Sequence, residues 1–215
     1  MTPVVFWDVD TQVDFIHADG KLYVPDSEAI VGALDALTRY AHARGIPIVA
    51  SADDHLPGHR ELSGTPDFRE SFPAHCMRGT PGQRKIVETT LRTPLVLEPE
   101  PEDAGPLAER IRAHDGDFLL HKHWFDVFTN AKVATLLDVL DPETIVVYGV
   151  ALDVCNRYAI DGLLRARPGL RIFLVTDATR AIDPGAAGPL LAGWRSRGVQ
   201  MVTAADVLRG AVVPR

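Results

Sequence analysis

Apolar and polar positions follow two spacings along the chain, and these predict alternating strands and helices. Short continuous apolar runs, typical of strands buried on both faces, occur six times. They cover residues 3–9, 46–51, 117–122, 144–149, 171–178 and 199–203. The segments between them carry apolar residues three and four positions apart, as a helix with one buried face does. In the segment 26–45, that face contains Ile30, Leu34, Leu37 and Ala41.

This order of elements predicts the α/β fold class, with one domain over residues 1–215. We expect a three-layer sandwich in which helices flank both faces of a six-stranded parallel sheet. Residues 52–103 are rich in Pro, Gly, His and Asp and lack periodicity. Because long irregular segments often carry function, this segment is predicted to form a metal and substrate loop region. Ligands of such sheets bind beyond the carboxyl ends of the strands.

The composition of the chain restricts the classes of partner that we expect. The net charge is -7 and no long basic run is present, which argues against nucleic acid or an anionic membrane as partner. The N-terminal residues lack the basic start of a signal peptide, and no apolar run approaches about 18 residues. We therefore predict a cytoplasmic protein that acts on a small molecule. The apolar helices leave a homo-oligomer open, and the two cysteines, Cys76 and Cys155, are predicted to be free thiols.

Cys155 is the first candidate for chemistry. It lies in "IVVYGVALDVCN", where a buried strand turns at Gly149 into a helix that Asp153 is placed to cap. Unpaired amides and the positive end of a helix dipole lower the pKa of a thiol in the first helical turn. The same amides are able to hold an oxyanion. The alternative is that Cys155 is a small buried apolar residue, as most free cysteines are.

A nucleophilic thiol needs a base and a partner for developing charge. The stretch "WDVDTQVDF" offers Asp8, Asp10 and Asp14 at the end of the first strand. A carboxylate in a partly dry pocket can exchange protons near neutrality. Lys122, at the end of the strand "DFLLHK", is placed to pair with such an acid. The alternative for each residue is a solvated turn or surface position.

The irregular segment offers metal ligands. Asp53 and His55 are two positions apart, so an extended backbone places both side chains on one face. His75 adds a third ligand, and one carboxylate with two imidazoles leaves positions open, as in a catalytic metal site. Asp54 is an alternative to Asp53, and His59 is a spare ligand. The alternative is a polar loop with solvated histidines.

Together these motifs resemble the isochorismatase-like cysteine hydrolases, and within them the nicotinamidases. The resemblance covers about residues 4–208. "DTQVDF" matches the family motif whose first residue is the acid and base, which is Asp10 here, and Lys122 matches the family lysine. "GVALDVC" matches the nucleophile turn and implies that Cys155 attacks the substrate. It also implies a cis bond between Val150 and Ala151, with the amides of Ala151 and Cys155 as oxyanion hole.

The metal loop carries the resemblance to nicotinamidases. "DDH" and "FPAHCMRGTPG" match their ligand motifs and imply a divalent metal, Zn or else Mn or Fe, on Asp53, His55 and His75. Phe15 and Phe72 match the aromatic pair that holds the pyridine ring. Asp54 and Phe72 stand where nicotinamidases usually carry tryptophan. The implied reaction converts nicotinamide to nicotinate and ammonia through a cysteine thioester, a step of NAD salvage.

Other functions stay open at this point. A related cysteine hydrolase of a ureido acid, maleamate or an N-carbamoyl amine would share the catalytic residues but needs an anion-binding group. Arg78 and Arg157 are candidates for that group. A metal-dependent hydrolase in which Cys155 is only structural is a second alternative. A catalytically idle binding protein on the same fold is a third.

Overall fold

A parallel sheet of seven strands forms the centre of the structure, a computed structural model that describes residues 3–212. The strands are β1 (Val4–Val9), β2 (Ile48–Asp53), β3 (Leu95–Leu97), β4 (Phe118–Lys122), β5 (Thr144–Val150), β6 (Arg171–Arg180) and β7 (Gln200–Val202). Their order in the sheet is β3-β4-β2-β1-β5-β6-β7, and every neighbouring pair is parallel. The predicted fold class is confirmed.

The strand count differs from the six that the sequence predicted. The additional strand is β3, which has three residues and pairs only with β4 at the edge of the sheet. Only Leu97 of this strand is fully buried. Such a short strand, set inside an irregular segment and half exposed, has too few residues to show a periodic pattern.

Helices cover both faces of the sheet. They are α1 (Val13–Ile16), α2 (Val31–Ala43), α3 (Ala104–Ala113), α4 (Lys132–Leu140), α5 (Cys155–Ala166), α6 (Pro184–Ser196) and α7 (Ala204–Leu208), and short 3-10 turns occupy 27–30, 81–83, 87–89 and 127–129. Alternate side chains of β1 divide between two hydrophobic clusters, with Trp7 in one and Phe6 in the other. The first cluster includes residues of α3 to α6, and the second includes residues of α2 and α7. The core therefore consists of two apolar layers separated by the sheet.

The position of β1 determines where ligands can bind. The chain passes from β1 to β2 on one side and later reaches β5 on the other side. In an open parallel sheet, a crevice forms beyond the strand ends where connections leave in opposite directions. The residues that follow β1, β2 and β5 therefore face one crevice. Across residues 3–212, none of the helices has the length and hydropathy needed to cross a membrane.

Candidate active site

Three buried side chains from separate elements meet at this crevice. Asp10 follows β1, Lys122 ends β4 and Cys155 begins α5. The Lys122 ammonium lies 3.0 Å from an Asp10 carboxylate oxygen and 3.7 Å from the Cys155 sulfur. Ser51 donates a hydrogen bond of 2.6 Å to the other Asp10 oxygen. The structure thus brings together the three residues that the sequence predicts as catalytic.

Burial dominates the electrostatics of these three groups. Burial raises the pKa of the Cys155 thiol well above its ordinary value, although the Lys122 ammonium opposes the shift. Burial also raises the pKa of the Asp10 carboxyl, again against the attraction of Lys122. The predicted lowering of the Cys155 pKa by the helix N-terminus is wrong, because desolvation of the thiolate outweighs it. A reaction that uses this thiol as nucleophile therefore needs a neighbouring base.

The turn from β5 to α5 places the thiol. Gly149 has a φ of 106°, and a Cβ there would lie 2.1 Å from the Val9 carbonyl oxygen, so only glycine fits between β5 and β1. The bond between Val150 and Ala151 is cis, as the resemblance implies. The Asn156 amide donates to the Ala151 oxygen at 3.0 Å, and its side chain donates to the Gly149 oxygen at 2.8 Å. These bonds close the turn around the Cys155 backbone.

Asp153 does not cap α5, so that part of the sequence prediction is wrong. The residue before the helix is Val154, which makes no side-chain cap. The Asp153 carboxylate instead accepts hydrogen bonds from the amides of Ile182 and Asp183, at 2.9 and 2.8 Å. It therefore ties this turn to the segment that follows β6, a long-range contact that sequence spacing does not reveal.

A second group of buried side chains adjoins the first. Asp53, His55, Glu61 and His75 each offer one ligand atom, and these atoms all lie within 4.8 Å of one another. The Nε2 atom of His75 lies 3.4 Å from an Asp53 oxygen and 3.5 Å from a Glu61 oxygen. The Nε2 atom of His55 lies 3.9 Å from the same Asp53 oxygen. The three predicted metal ligands are therefore adjacent, together with a fourth residue.

Glu61 is the member of this group that sequence reasoning missed. It is 2% exposed, which is rare for a glutamate unless it is paired. It reaches the group because Leu62 pairs with Phe72 in an isolated parallel bridge, which folds the loop back on itself. The sequence signal was only a lone acid in an irregular segment. Arg60, beside it, places its guanidinium 3.9 Å from the centre of the Trp124 ring and holds the loop against the residues after β4.

The donor set fits a divalent metal. Four of its buried atoms have no hydrogen-bond partner among residues 3–212, namely Asp53 Oδ2, His55 Nε2, Glu61 Oε2 and His75 Nε2. The Nδ1 atom of His75 lies 2.7 Å from the Pro73 carbonyl, which can only accept, so Nδ1 is the protonated atom that donates. Two imidazoles and two carboxylates suit Zn²⁺, Mn²⁺ or Fe²⁺.

The pKa values within this group shift in different directions. Burial opposes the charged form of His75, but Asp53 and Glu61 outweigh it and raise the pKa of His75 to about 10. Burial lowers the pKa of His55 to about 4. Burial would raise the pKa of Asp53, yet Lys122 and the two histidines hold it below its ordinary value. The carboxylates of Asp53 and Glu61 thus favour positive charge at this group.

Gln12 holds the first ligand in place. Its side-chain oxygen accepts from the Asp53 amide at 2.7 Å, and its nitrogen donates to the Asp53 carbonyl at 2.8 Å. The same nitrogen donates to the Gln83 carbonyl at 2.6 Å. Lys122 also pairs with the Asp53 carboxylate, so one ammonium contacts both groups.

A small apolar pocket connects the thiol with the second group. Its lining is Phe15, Leu22, Val24, Asp53, Glu61, Phe72, Ala151, Val154, Cys155 and Ile182. The cavity volume is only about 10 Å³, far below the roughly 300–1,000 Å³ of sites for drug-sized ligands, so a bound substrate requires the lining side chains to move apart. The two phenylalanines that the resemblance implies for ring binding both line this space.

The remaining candidates from the sequence lie elsewhere. The carboxylate of Asp8 pairs with Lys85 at 2.9 Å, and that of Asp14 accepts from the Cys76 amide at 2.7 Å. Asp54 pairs with Arg78 and is outside the first metal group. Three further residues, His59, Arg78 and Arg157, are absent from the pocket lining.

Comparisons with known proteins agree with this geometry. The family model of the isochorismatase domain matches residues 5–206. A nicotinamidase/pyrazinamidase of Mycobacterium tuberculosis is 40% identical over 75 residues, which are 34% of this chain and 39% of that protein. A nicotinamidase of Escherichia coli is 24% identical over 201 residues, 85% of each chain.

A solved structure extends the comparison to the fold. The pyrazinamidase of Pyrococcus horikoshii, crystallised in complex with zinc, is 24% identical with a TM-score of 0.71. The match covers 93% of this chain and 98% of that chain. Since the family model spans nearly all of the sheet and every candidate residue, the chain belongs to the isochorismatase domain family and is a hydrolase of that family.

Proposed function

We propose that the protein hydrolyses a small neutral carboxamide to an acid and ammonia through a cysteine thioester, with nicotinamide as the expected substrate. One observation carries the proposal. The Cys155 sulfur, within reach of Lys122 and beside Asp10, lies in the wall of an apolar pocket that also reaches the Asp53 group.

The proposed mechanism uses the buried trio as a proton relay. Asp10 takes the proton of the Cys155 thiol as the sulfur attacks the carboxamide carbon. The amides of Ala151 and Cys155 hold the oxyanion, and Asp10 returns the proton to the departing ammonia. Water then hydrolyses the thioester with Asp10 again as base.

The second group would position the substrate. Asp53, His55, Glu61 and His75 are the residues that would hold a divalent cation. When bound, such a cation supplies positive charge that attracts the ring nitrogen of a heteroaromatic amide. Phe15 and Phe72 offer faces for stacking on that ring, which orients the carboxamide towards Cys155.

The pocket lining favours a neutral substrate over an anionic one. It contains no lysine or arginine, so no basic side chain of the lining would pair with a substrate carboxylate. Arg157 is exposed and the Arg78 guanidinium is held by Asp54, which weakens the alternative of a ureido acid or maleamate. An N-carbamoyl amine without a carboxylate remains the second candidate, because it is neutral and needs no basic side chain in the pocket lining.

The test is ammonia release by the purified protein from nicotinamide, pyrazinamide, maleamate and an N-carbamoyl amine. We expect release from the neutral heteroaromatic amides, abolished by iodoacetamide and weakened by a chelator. Release from maleamate alone would contradict the neutral-substrate proposal. Activity that survives alkylation of Cys155 but not chelation would instead favour a metal-dependent hydrolase with a structural Cys155.

Assignment of the alkylated thiol needs a control. The chain has two cysteines, and Cys76 is fully buried with no place in the pocket lining. In a Cys76→Ala variant, Cys155 is the single thiol. Loss of ammonia release on alkylation of this variant assigns the effect to Cys155.

A further inference from the structure

A second cluster of histidines and acids lies behind the first, and the proposed reaction does not use it. Its members are Asp54, Glu98, His121 and His123. His121 precedes Lys122 on β4, and successive strand residues point to opposite faces. Asp54 follows Asp53 in the same way. The cluster is therefore built from the neighbours of site residues but faces away from the thiol.

Three atoms of this cluster, on Asp54, Glu98 and His121, lie close enough together to share one metal ion. One oxygen of Asp54 lies 3.9 Å from His121 Nδ1 and 3.8 Å from His123 Nε2. The same His121 nitrogen is hydrogen-bonded to a Glu98 oxygen at 2.9 Å, a contact that a bound metal ion would replace. Atoms bound to one zinc ion at about 2.1 Å lie roughly 3 to 4 Å apart. Asp54, Glu98 and His121 each offer an atom within 4.8 Å of the others.

Two features of the cluster show unmet bonding capacity. The Nε2 atom of His123 is buried and has no hydrogen-bond partner among residues 3–212. Its ring lies 4.3 Å, centre to centre, from that of His59, which holds it facing Asp54. The Asp54 side chain is only 1% exposed, so its negative charge requires a cationic partner.

Arg78 provides that partner in this structure. Its Nε donates to both Asp54 oxygens at 2.9 Å, and Nη2 donates to the oxygen that also faces the two histidines. The Arg78 side chain is 43% exposed, so solvent could take up the guanidinium if a metal ion displaced it from Asp54. Gln83 donates to the other Asp54 oxygen at 2.5 Å and would keep the carboxylate oriented without the guanidinium.

We propose that Asp54, Glu98 and His121, with His123 beside Asp54, form a second site for a divalent transition metal, in competition with Arg78. Imidazole ligands favour Zn²⁺, Co²⁺ or Ni²⁺ over Mg²⁺ or Ca²⁺. Displacement of the guanidinium leaves two carboxylates to balance the charge of the ion. The site is independent of the Asp53 group, because the two clusters share no ligand residue.

The first experiment counts bound metal. The chelated protein is titrated with Co²⁺, with binding followed by calorimetry and by the visible absorption of the ion. We expect two equivalents for the unchanged protein, one for His121→Ala and one for His75→Ala, each lost from a different cluster. His17→Ala, at an exposed position, is the matched control and keeps two.

The count also defines failure. The proposal is wrong if His121→Ala binds as many equivalents as the unchanged protein. Near-ultraviolet circular dichroism distinguishes loss of a metal site from a folding defect. A folded variant also keeps the equivalent of metal that depends on His75. Glu98→Gln, at a half-exposed position, removes one carboxylate with little risk to the fold and should weaken the second equivalent at least tenfold.

A second experiment tests the competition directly. Arg78→Met removes the guanidinium but keeps an extended side chain over the cluster. We expect the second equivalent to bind at least tenfold more tightly, while the equivalent that depends on His75 keeps its affinity. An unchanged or weaker second affinity would overturn the assignment of Asp54 as a ligand, since a purely structural ion pair gains nothing from losing its cation.

Discussion

The two groups that meet at the pocket are built in different ways. Asp10, Lys122 and Cys155 lie at strand ends or in the first turn of a helix that follows a strand. Of the second group, only Asp53 lies on a strand, whereas His55, Glu61 and His75 lie on the irregular segment between β2 and β3. The sheet thus fixes the first group through its backbone ladder, and long-range contacts fix the second. We therefore expect substitutions in the first group to affect the chemical step and those in the second to affect binding.

Cys155→Ala is the change with the largest expected effect. Loss of the nucleophile should lower kcat for ammonia release by at least about 1,000-fold. The fold should persist, because alanine fits the first turn of α5 and removes only one buried sulfur. Steady-state kinetics and urea unfolding measure the two effects separately. Cys76→Ala is the control and should keep its turnover. Substantial kcat in Cys155→Ala would contradict the assignment of the chemical step to the group of Asp10, Lys122 and Cys155.

Lys122→Met should destabilise the fold, because it removes a cation that both groups share. The buried ammonium pairs with Asp10 and Asp53, one residue from each group. Its removal leaves two carboxylates buried without compensation, which should lower the free energy of unfolding by about 3–5 kcal/mol. Arg39→Met, which breaks an exposed pair on α2, should cost only about 0.5 kcal/mol or less. Equal losses in the two variants, measured by urea unfolding, would contradict the coupling.

Glu61→Gln tests whether the second group binds a metal. Removal of one carboxylate from the donor set should weaken zinc affinity at least about tenfold, since even residues behind metal ligands have effects of 10–100-fold. Competition with a chromophoric chelator measures the affinity. The rate of Cys155 alkylation should not fall, because the thiol contacts Lys122 and the charge of Glu61 only raises the pKa of Cys155. Glu70→Gln, at an exposed position of the same loop, is the control. Unaltered zinc affinity in Glu61→Gln would exclude this glutamate from the donor set.

Phe72→Leu has the smallest expected effect. Loss of one stacking face should cost about 0.5–1.5 kcal/mol of substrate binding, which raises KM for nicotinamide by roughly two- to twelvefold. The kcat should remain nearly constant, since Phe72 is not among the residues that move protons. Phe68→Leu changes a phenylalanine of the same loop that is 57% exposed, and its KM should stay as in the unchanged protein. A fall in kcat instead of a rise in KM would assign Phe72 to the first group.

The same contrast explains which parts were predictable from the sequence. Strand periodicity marks the carboxyl ends where Lys122, Cys155 and the three acids near the end of β1 lie, but only the family resemblance selected Asp10 among those acids. Glu61 could not be found, because no periodic pattern links its position to that of Asp53, and an isolated bridge between Leu62 and Phe72 makes the connection.

The sequence also could not show which of two opposing interactions would be the stronger one. The position of Cys155 in a first helical turn suggested a thiolate, but the degree of burial decides its pKa, and burial results from packing of many distant residues. Asp153 likewise had the spacing of a cap, yet amides that follow β6 compete for its carboxylate. β3 was missed because three residues are too few for a pattern.

Gln12 has a consequence for the architecture of the sheet itself. β1 pairs with β2 only as far as Val9 opposite Ser51, so Asp53 has no backbone neighbour on that side. The primary amide of Gln12 accepts from the Asp53 N–H and donates to its carbonyl, which are the bonds that another peptide group would form. The Gln12 side chain therefore replaces a missing backbone pair of the sheet and extends the pairing to Asp53, the first residue of the metal group. A glutamate at position 12 would have the same shape but no donor, so the pairing would end two residues before Asp53.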